Sequence, residues 1–200
     1  MKKKIITTFG AFLMVICGVF TAFQLTGCSG SESGIEKDET DTVVSLVAAD
    51  IDEFSYWHNK QKIQFIKEDN MWYKAKKVTA DDGIDGVVLN TIDGSDSYVA
   101  DKEVALSQDA ISSMLATVEN IKATEKITDT SLRSEYGFED PVNRISLKLG
   151  DEQINLTIGK YDEEADKCYM MLEDDFNIYV VDGSIYSAFQ KSITELTENN

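Results

Sequence analysis

The feature that most constrains the fold is a strict alternation of apolar and polar side chains in the third quarter of the chain. The segment Ile145–Leu149 alternates residue by residue, and Ile154–Ile158 repeats the pattern. Gly150-Asp151-Glu152, which lies between them, is typical of a turn. Because successive side chains of a strand point to opposite faces, this region predicts a β-hairpin with one buried and one exposed face.

Other segments have the composition of strands. Residues 51–59, 62–67 and 71–77 are rich in aromatic and β-branched side chains, and Glu68-Asp69-Asn70 is a candidate hairpin turn. A second late hairpin is predicted from the same kind of pattern. Its strands are Cys168–Leu172 and Asn177–Val181, joined by Glu173-Asp174-Asp175.

Two segments repeat apolar residues at helical spacing. The first predicts a helix over Gln108–Lys122, with Ser107 as its N-cap. The second predicts a closing helix with Ser184 or Asp182 as its cap. Its apolar side carries Ile185, Phe189, Ile193 and Leu196. The glycine-rich polar residues 78–101 are predicted as a loop with one short strand at Val87–Leu89.

The order of these elements is strands, helix, strands, helix. It predicts an α+β fold of antiparallel β-hairpins with two packing helices. The same order suggests two related β-rich units, each closed by a helix, although the two halves share few identical residues.

The first residues have the order of an export signal. Basic Lys2–Lys4 precedes an apolar run, Ile5–Phe23, and then Leu25-Thr26-Gly27-Cys28. The last four resemble a bacterial lipobox, in which the cysteine thiol receives a diacylglycerol and the chain is cut before it. We therefore predict residues 1–27 as a lipoprotein signal peptide and Cys28 as the lipid-attachment site. An uncleaved anchor is the alternative, because the run nearly spans a bilayer.

Charge and composition divide the rest of the chain. Residues 28–41 are small, polar and acidic, which predicts a flexible tether, and residues 42–200 are predicted as a single α+β domain. The formal charge of −17 becomes −20 without Lys2–Lys4. A chain this acidic is not expected to bind nucleic acid. Both interpretations of the signal put the domain at the cell membrane, on the extracytoplasmic side.

Acidic residues and one histidine are candidates for metal-binding or catalytic sites. Residues 81–86 partly match a calcium loop, but the position that needs a bidentate glutamate is Ile92. His58 is the only histidine, so a zinc set is absent, and a structural role is favoured over that of a catalytic base. The acids at 162–166 and 173–175 are interpreted as solvated turns rather than as paired catalytic carboxylates. No metal, cofactor or catalytic residue is predicted.

Aromatic residues and a thiol offer two further possibilities. Tyr56, Trp57, Trp72 and Tyr73 could form a platform for sugars, but alternation sends Tyr56 and Trp57 to opposite faces of a strand. Cys168 is the one cysteine beyond the lipobox, so an internal disulfide in the mature chain is excluded. We interpret it as a buried small hydrophobe.

The hexapeptide Tyr136–Pro141 contains the only proline of the chain. Pro141 pushes the preceding residue out of the helical region, and Gly137 can take a positive φ at little cost. The physical prediction is a shaped connector, with Tyr136 and Phe138 fixing the turn to the core.

This hexapeptide, the "LTIGK" of residues 156–160 and the "NIYVV" of residues 177–181 together resemble a bacterial domain-of-unknown-function family, number 4340. The Trp-bearing strand at 70–75 and the capped helix at 104–123 are also similar. The resemblance covers most of 51–189. Phe138 replaces the family's usual leucine, and the loop at 78–101 is longer than in the family.

The resemblance implies an exported or lipid-anchored protein, with some relatives associated with ABC-type transport systems, and it brings no established catalytic residues. We therefore expect a non-catalytic binding or assembly module, accessory to such a system, with its binding residues unassigned. A small-ligand or calcium-binding surface receptor, suggested by the loop at 78–101, is the alternative. An envelope hydrolase that uses His58 is the least favoured.

Overall fold

The computed structural model describes residues 41–78 and 97–197. In chain order its strands are β1 (Asp41–Ser45), β2 (Glu53–His58), β3 (Gln61–Glu68), β4 (Met71–Lys77), β5 (Tyr98–Asp101), β6 (Asn120–Ile127), β7 (Asn143–Leu149), β8 (Glu152–Asp162), β9 (Lys167–Leu172) and β10 (Ile178–Asp182). The helices are α1 (Gln108–Ala116) and α2 (Ser184–Ala188), and 3₁₀ turns lie at Ala48–Asp50, Thr130–Arg133 and Ile193–Leu196. The class is α+β, dominated by a large antiparallel sheet.

The strands form one sheet in the order β1-β6-β10-β9-β8-β7-β2-β3-β4-β5. Each pair of neighbours is antiparallel. Strands β2 to β5 follow one another as a meander, and so do β7 to β10. The two meanders meet where β2 pairs with β7, with Phe54 opposite Leu147.

Short turns with positive φ join the strands of the first meander. Asn59 and Lys60 have φ angles of 49° and 63°, and Asp69 and Asn70 have 51° and 62°. Two consecutive left-handed residues are the arrangement of a type I′ turn, whose twist matches that of the flanking strands. The turn predicted at Glu68-Asp69-Asn70 is therefore confirmed, with its first residue as the end of β3.

The short connection between β1 and β2 requires the sheet to curl. The two strands are six positions apart in the sheet, which at about 4.8 Å per strand is about 29 Å if the sheet is flat. The eight steps from Ser45 to Glu53 span about 29 Å only when fully extended. They include the 3₁₀ turn at Ala48–Asp50, so a flat sheet is excluded.

One hydrophobic core lies on the inner face of this curl. Phe54 is its centre: it stacks on Phe65 at 4.4 Å and meets Trp72 edge-on at 4.9 Å between ring centroids. Tyr56 meets Phe189 edge-on at 5.5 Å. Aromatic pairs at these separations add to the free energy gained by burial. Helix α1 contributes Ile111, Met114 and Leu115 to the same core.

The predicted helix over Gln108–Lys122 is too long. Its N-cap is confirmed, because the Ser107 hydroxyl accepts a 3.3 Å hydrogen bond from the Ala110 amide. The helix ends at Ala116, and Val118 and Ile121 reach the core from the following turn and from β6 instead. Pairing of β6 with both β1 and β10 outweighs the helical spacing of these residues.

The closing helix is also shorter than predicted. It is broken into α2 and the 3₁₀ turn at Ile193–Leu196. Ile185 and Phe189 are nevertheless buried. The N-cap is Gly183 rather than Ser184 or Asp182, and the Asp182 carboxylate, one residue earlier, accepts a 2.9 Å hydrogen bond from the Ser184 amide. The break lets the backbone at Phe189 turn toward β7, where it accepts a side-chain hydrogen bond.

Three strands were missed by the sequence analysis, namely β1, β5 and β6. β1 begins at Asp41, the last residue assigned to the tether, and β5 lies at the end of the predicted loop. The strand predicted at Val87–Leu89 lies outside the described residues. Within 41–78 and 97–197, none of the helices has the length and hydropathy needed to cross a membrane.

Candidate functional site

A long connector, residues 128–142, links β6 to β7. Because β10, β9 and β8 lie between those strands, the connector has to cross all three. It crosses on the outer face, opposite the core: its Tyr136 ring lies 4.3 Å from that of Tyr169, which alternates with the core residues Cys168 and Met170. The outer face is therefore covered over part of its width.

Two glycines allow the connector to approach β8 closely. Gly137 has a φ of 83°, which turns the chain after Tyr136. The Lys160 amide then donates a 2.8 Å hydrogen bond to the Tyr136 carbonyl. A Cβ on Gly159 would lie 2.1 Å from that same oxygen. The hexapeptide and the Ile158-Gly159 pair of β8 are thus in contact, and their role is to shape and hold the connector.

The connector leaves the other half of the outer face uncovered. We call this surface the open face; it consists of the outward side chains of β3, β2, β7 and the first half of β8. Strand registers place these side chains in three rows across the sheet. The rows are Lys62-Trp57-Arg144-Thr157, Gln64-Ser55-Ser146-Asn155 and Ile66-Glu53-Lys148-Gln153.

Two adjoining hollows lie on the open face, with volumes of about 600 and 140 Å³. Both are lined by Glu53, Lys62, Gln64 and Lys148. Ser55, Ser146 and Gln153 line the smaller one. Ser55 is only 4% exposed although it points away from the core. The longer side chains around it therefore form the walls of a depression whose floor is a hydroxyl group.

Hydrogen bonds hold the polar side chains of the open face in place. The Gln153 side-chain amide donates to the Ser146 hydroxyl at 3.1 Å and to the side-chain oxygen Oδ1 of Asn155 at 3.0 Å. The Lys148 ammonium pairs with the Glu53 carboxylate at 2.5 Å. This hydrogen bond and the nearby negative charge raise the pKa of Lys148, so the lysine stays charged.

A buried asparagine supports the edge of the open face. Asn143, 2% exposed, accepts a 2.9 Å hydrogen bond from the Trp57 amide and donates one of 2.6 Å to the Phe189 carbonyl. The neighbouring Tyr56 hydroxyl donates to the Lys191 carbonyl at 2.7 Å. The C-terminal segment is thereby tied to the strand that carries Trp57. The sequence analysis did not single out Asn143, because nothing local distinguishes it from a surface asparagine.

A family model described as Domain of unknown function (DUF4340) matches residues 97–200, slightly more than half of the chain. The chain belongs to this family. No curated protein and no solved structure matches it. The DUF4340 match contains the connector and the β7–β8 part of the open face, while β2 and β3 precede it.

In this DUF4340 chain, the four aromatic residues considered as a sugar platform do not share one face. Tyr56 and Trp72 are buried in the core, whereas Trp57 is 38% exposed on the open face. Tyr73 lies opposite Ile66 on the outward side. Alternation therefore separates them as predicted, and Trp57 alone is available to a partner at the junction of the two meanders.

His58 follows Trp57 at the end of β2. Its Nε2 atom lies 2.9 Å from the Asn59 side-chain nitrogen, and its Nδ1 atom is buried. Within the described ranges, neither ring nitrogen has a serine or carboxylate partner at hydrogen-bond distance. Among the described residues, His58 therefore has no nucleophilic side chain as a hydrogen-bond partner.

The remaining predictions concern Cys168, the acidic turns, metal binding and Cys28. Cys168 is fully buried, as predicted, and burial raises the pKa of its thiol to about 12. Of the acids at 162–166 and 173–175, those at 163–166 and 173–174 lie in exposed turns, whereas Asp162 is the last residue of β8 and Asp175 is half-buried. Among the residues the structure describes, no cluster of histidine, cysteine and acidic side chains could hold a metal ion. Cys28 and most of the loop at 78–101 lie outside the described residues.

A second concavity, of about 670 Å³, lies beside the connector at the end of β8. It is lined by Glu135, Tyr136, Lys160, Tyr161, Asp162, Glu163, Glu164 and Tyr169. The Tyr161 hydroxyl donates to the Asp166 carboxylate at 2.8 Å, which raises the pKa of that tyrosine. This wall is acidic, in contrast to the lysines of the open face.

Proposed function

We propose that this DUF4340 protein is an extracytoplasmic lipoprotein, held at the cell membrane through Cys28, whose domain binds a partner without catalysis. The anchor is supported by the basic start, the apolar run and Leu25-Thr26-Gly27-Cys28. The acidic residues 28–41 support a tether that holds the domain away from anionic lipid. The partner we propose is a subunit of an ABC-type transport system, a part that rests on the family resemblance.

The observation that carries the binding role is an exposed tryptophan on a rigid strand. Trp57 is 38% exposed, and Val142, at the edge of the open face, is 43% exposed. Arg144 and Lys62 flank Trp57 in the same row and are exposed. Tryptophan and arginine are enriched among the residues that dominate binding energy at interfaces. An exposed apolar patch with a charged rim is typical of an interaction surface.

We propose that the two meanders are related units and that their arrangement accounts for the location of this surface. The sheet order reads β10-β9-β8-β7 on one side of the junction and β2-β3-β4-β5 on the other. Each meander is followed in the chain by a helix, α1 or α2. In this interpretation the two units are related by a pseudo-two-fold axis between β2 and β7. The open face is centred on that axis.

Crosslinking in cells tests the binding role. A photoreactive phenylalanine at Val142 or Arg144 should capture a membrane protein in stoichiometric amount, identified by mass spectrometry. The matched control carries the same probe at Ser112, an exposed position of α1. Capture should also weaken in a Trp57→Ala background. Equal capture from Ser112, or recovery of the protein alone, would contradict the proposal.

The anchor has its own test. The wild-type protein should incorporate an alkyne-labelled fatty acid and sediment with membranes. Cys28→Ser should abolish the label and leave an unprocessed precursor, because only the thiol forms the thioether. Unchanged labelling of that variant would rule out Cys28 as the attachment site.

A further inference from the structure

We infer that the hollows of the open face bind an acidic saccharide, with its carboxylate between Lys62 and Lys148 and a sugar ring against Trp57. This inference rests on the proposed function, because it places an envelope glycan on the extracytoplasmic side. It adds a ligand class to the same surface.

The two carboxylates that line the hollows already have partners: Asp52 accepts a hydrogen bond from the Gly150 amide, and Glu53 pairs with Lys148. Lys62 and Lys148 line both hollows, and the Ser55 hydroxyl and the Gln64 amide add neutral donors. Within the described ranges Lys62 makes no ion pair, whereas the Glu53 carboxylate is already engaged by Lys148. An oxyanion between the two lysines would gain charge-assisted hydrogen bonds.

The charge of this region is opposite to that of the chain. The wall of the larger hollow carries Lys62, Lys67 and Lys148 together with Asp52 and Glu53, a net charge of +1, in a chain whose net charge is −17. Arg144 adds a further positive charge beside Trp57 on β7. A local positive field on an acidic protein attracts an anionic ligand. The other concavity, beside the connector, has four acids and one lysine in its wall and lacks this property.

The floor favours a saccharide over an acyl chain. Its side chains are the hydroxyls of Ser55 and Ser146 and the amides of Gln64 and Gln153. Such groups can donate to and accept from sugar hydroxyls. Trp57, one row away, supplies a flat apolar surface on which a pyranose ring can pack. Fixed strands and the hydrogen bonds of Gln153 hold the floor in place before a ligand arrives.

The test is calorimetry of the full lipoprotein in detergent micelles with oligogalacturonate, a linear uronic-acid saccharide. Neutral dextran and poly-glutamate are the comparison ligands. Oligogalacturonate should bind, at least tenfold more tightly than either comparison ligand, and its affinity should fall as salt rises. No binding of oligogalacturonate, or poly-glutamate binding as tightly, would overturn the inference and would favour an acidic protein as the occupant in the latter case.

Variants locate the site. Lys62→Gln and Trp57→Ala should each weaken oligogalacturonate binding at least tenfold. Lys122→Gln, which removes an exposed lysine of β6 far from the open face, is the matched control and should have no effect. Thermal unfolding of each variant verifies folding. Equal losses from Lys62→Gln and Lys122→Gln would indicate general electrostatics and overturn the site.

The two proposals can fail separately. Crosslinking from Arg144 to a membrane protein without binding of oligogalacturonate would support the proposed function and exclude the saccharide inference. If both experiments fail, the open face is not the functional surface. Binding of the saccharide without a crosslinked protein would retain the inference and redirect the proposed function toward an envelope glycan.

Discussion

Gly159 lies directly beneath the carbonyl group of Tyr136, where a Cβ atom would come within 2.1 Å of the oxygen. The amide of the next residue, Lys160, donates its 2.8 Å hydrogen bond to this carbonyl. The connector therefore approaches β8 closely only because position 159 has no side chain. Two of the short motifs that carry the family resemblance, the hexapeptide and the segment 156–160, therefore lie on the two sides of one contact.

Gly159→Ala should destabilise the fold by about 2 to 4 kcal/mol, because the methyl group collides with backbone that cannot move without breaking a hydrogen bond. Urea unfolding measures the loss. Gly150→Ala is the control, because its Cβ would meet nothing within 4 Å. The strain of alanine at a φ of 60° should lower the free energy of unfolding by only about 1 kcal/mol. Equal losses in the two variants would argue against a close approach at Gly159.

Asn143→Ala should lower the free energy of unfolding by about 2 to 3 kcal/mol. The Trp57 backbone amide, which is partly buried, and the Phe189 carbonyl, which is buried, would both lose their hydrogen-bond partner. Asn120→Ala, at an exposed asparagine of β6, should change the free energy of unfolding by less than about 0.5 kcal/mol. The tryptophan emission of the Asn143 variant should also change, since Trp57 loses its support. A stability change no larger than that of Asn120→Ala would contradict this role.

Much of the sheet could be predicted from local pattern. The hairpins around Asp69 and Gly150 combine alternating side chains with residues that tolerate positive φ, so pattern and turn agree. The interpretation of 118–122 as helix failed because burial of Val118 and Ile121 at spacing three fits a helix as well as a turn followed by a strand. The segment forms a strand because β6 pairs with β10, which lies more than 50 residues later in the chain.

The candidate site could be predicted only in part. Alternation alone separates Trp57 from Tyr56. The position of Lys62 beside Trp57 depends on the register between β2 and β3, which the sequence analysis did not predict. Which part of the outer face stays open depends on the path of the connector over β10, β9 and β8, and that path follows from the sheet order. The order is set by contacts between residues distant in sequence, which a local pattern does not contain.

Cys168 should resist alkylation in the native state. Its thiol is fully buried, and burial raises its pKa to about 12, so the reactive thiolate is scarce at neutral pH. Iodoacetamide should label the peptide that contains Cys168 only under conditions that unfold the domain, as measured by mass spectrometry of the digest. Rapid labelling in native buffer, at a rate near that of the denatured chain, would show that the thiol is accessible.

Asp175 should contribute stability that is lost in acid. Partial burial raises the pKa of its carboxyl, but hydrogen bonds from the Tyr179 hydroxyl and from Asn177 outweigh this and lower the pKa below the ordinary value of 3.8. A carboxyl with a lowered folded pKa stabilises the fold fully above its ordinary pKa. That stability disappears as the pH falls through the lowered value.

Asp175→Asn should therefore flatten the acid limb of the stability curve below about pH 4, while it weakens the fold at neutral pH by loss of the charge-assisted hydrogen bond. Urea unfolding at several pH values between about 2 and 7 measures both effects. Asp174→Asn removes a carboxylate from the adjacent exposed position and is the control. Parallel curves for wild type and Asp175→Asn across this range would mean that the hydrogen bonds of Asp175 do not favour its ionised form.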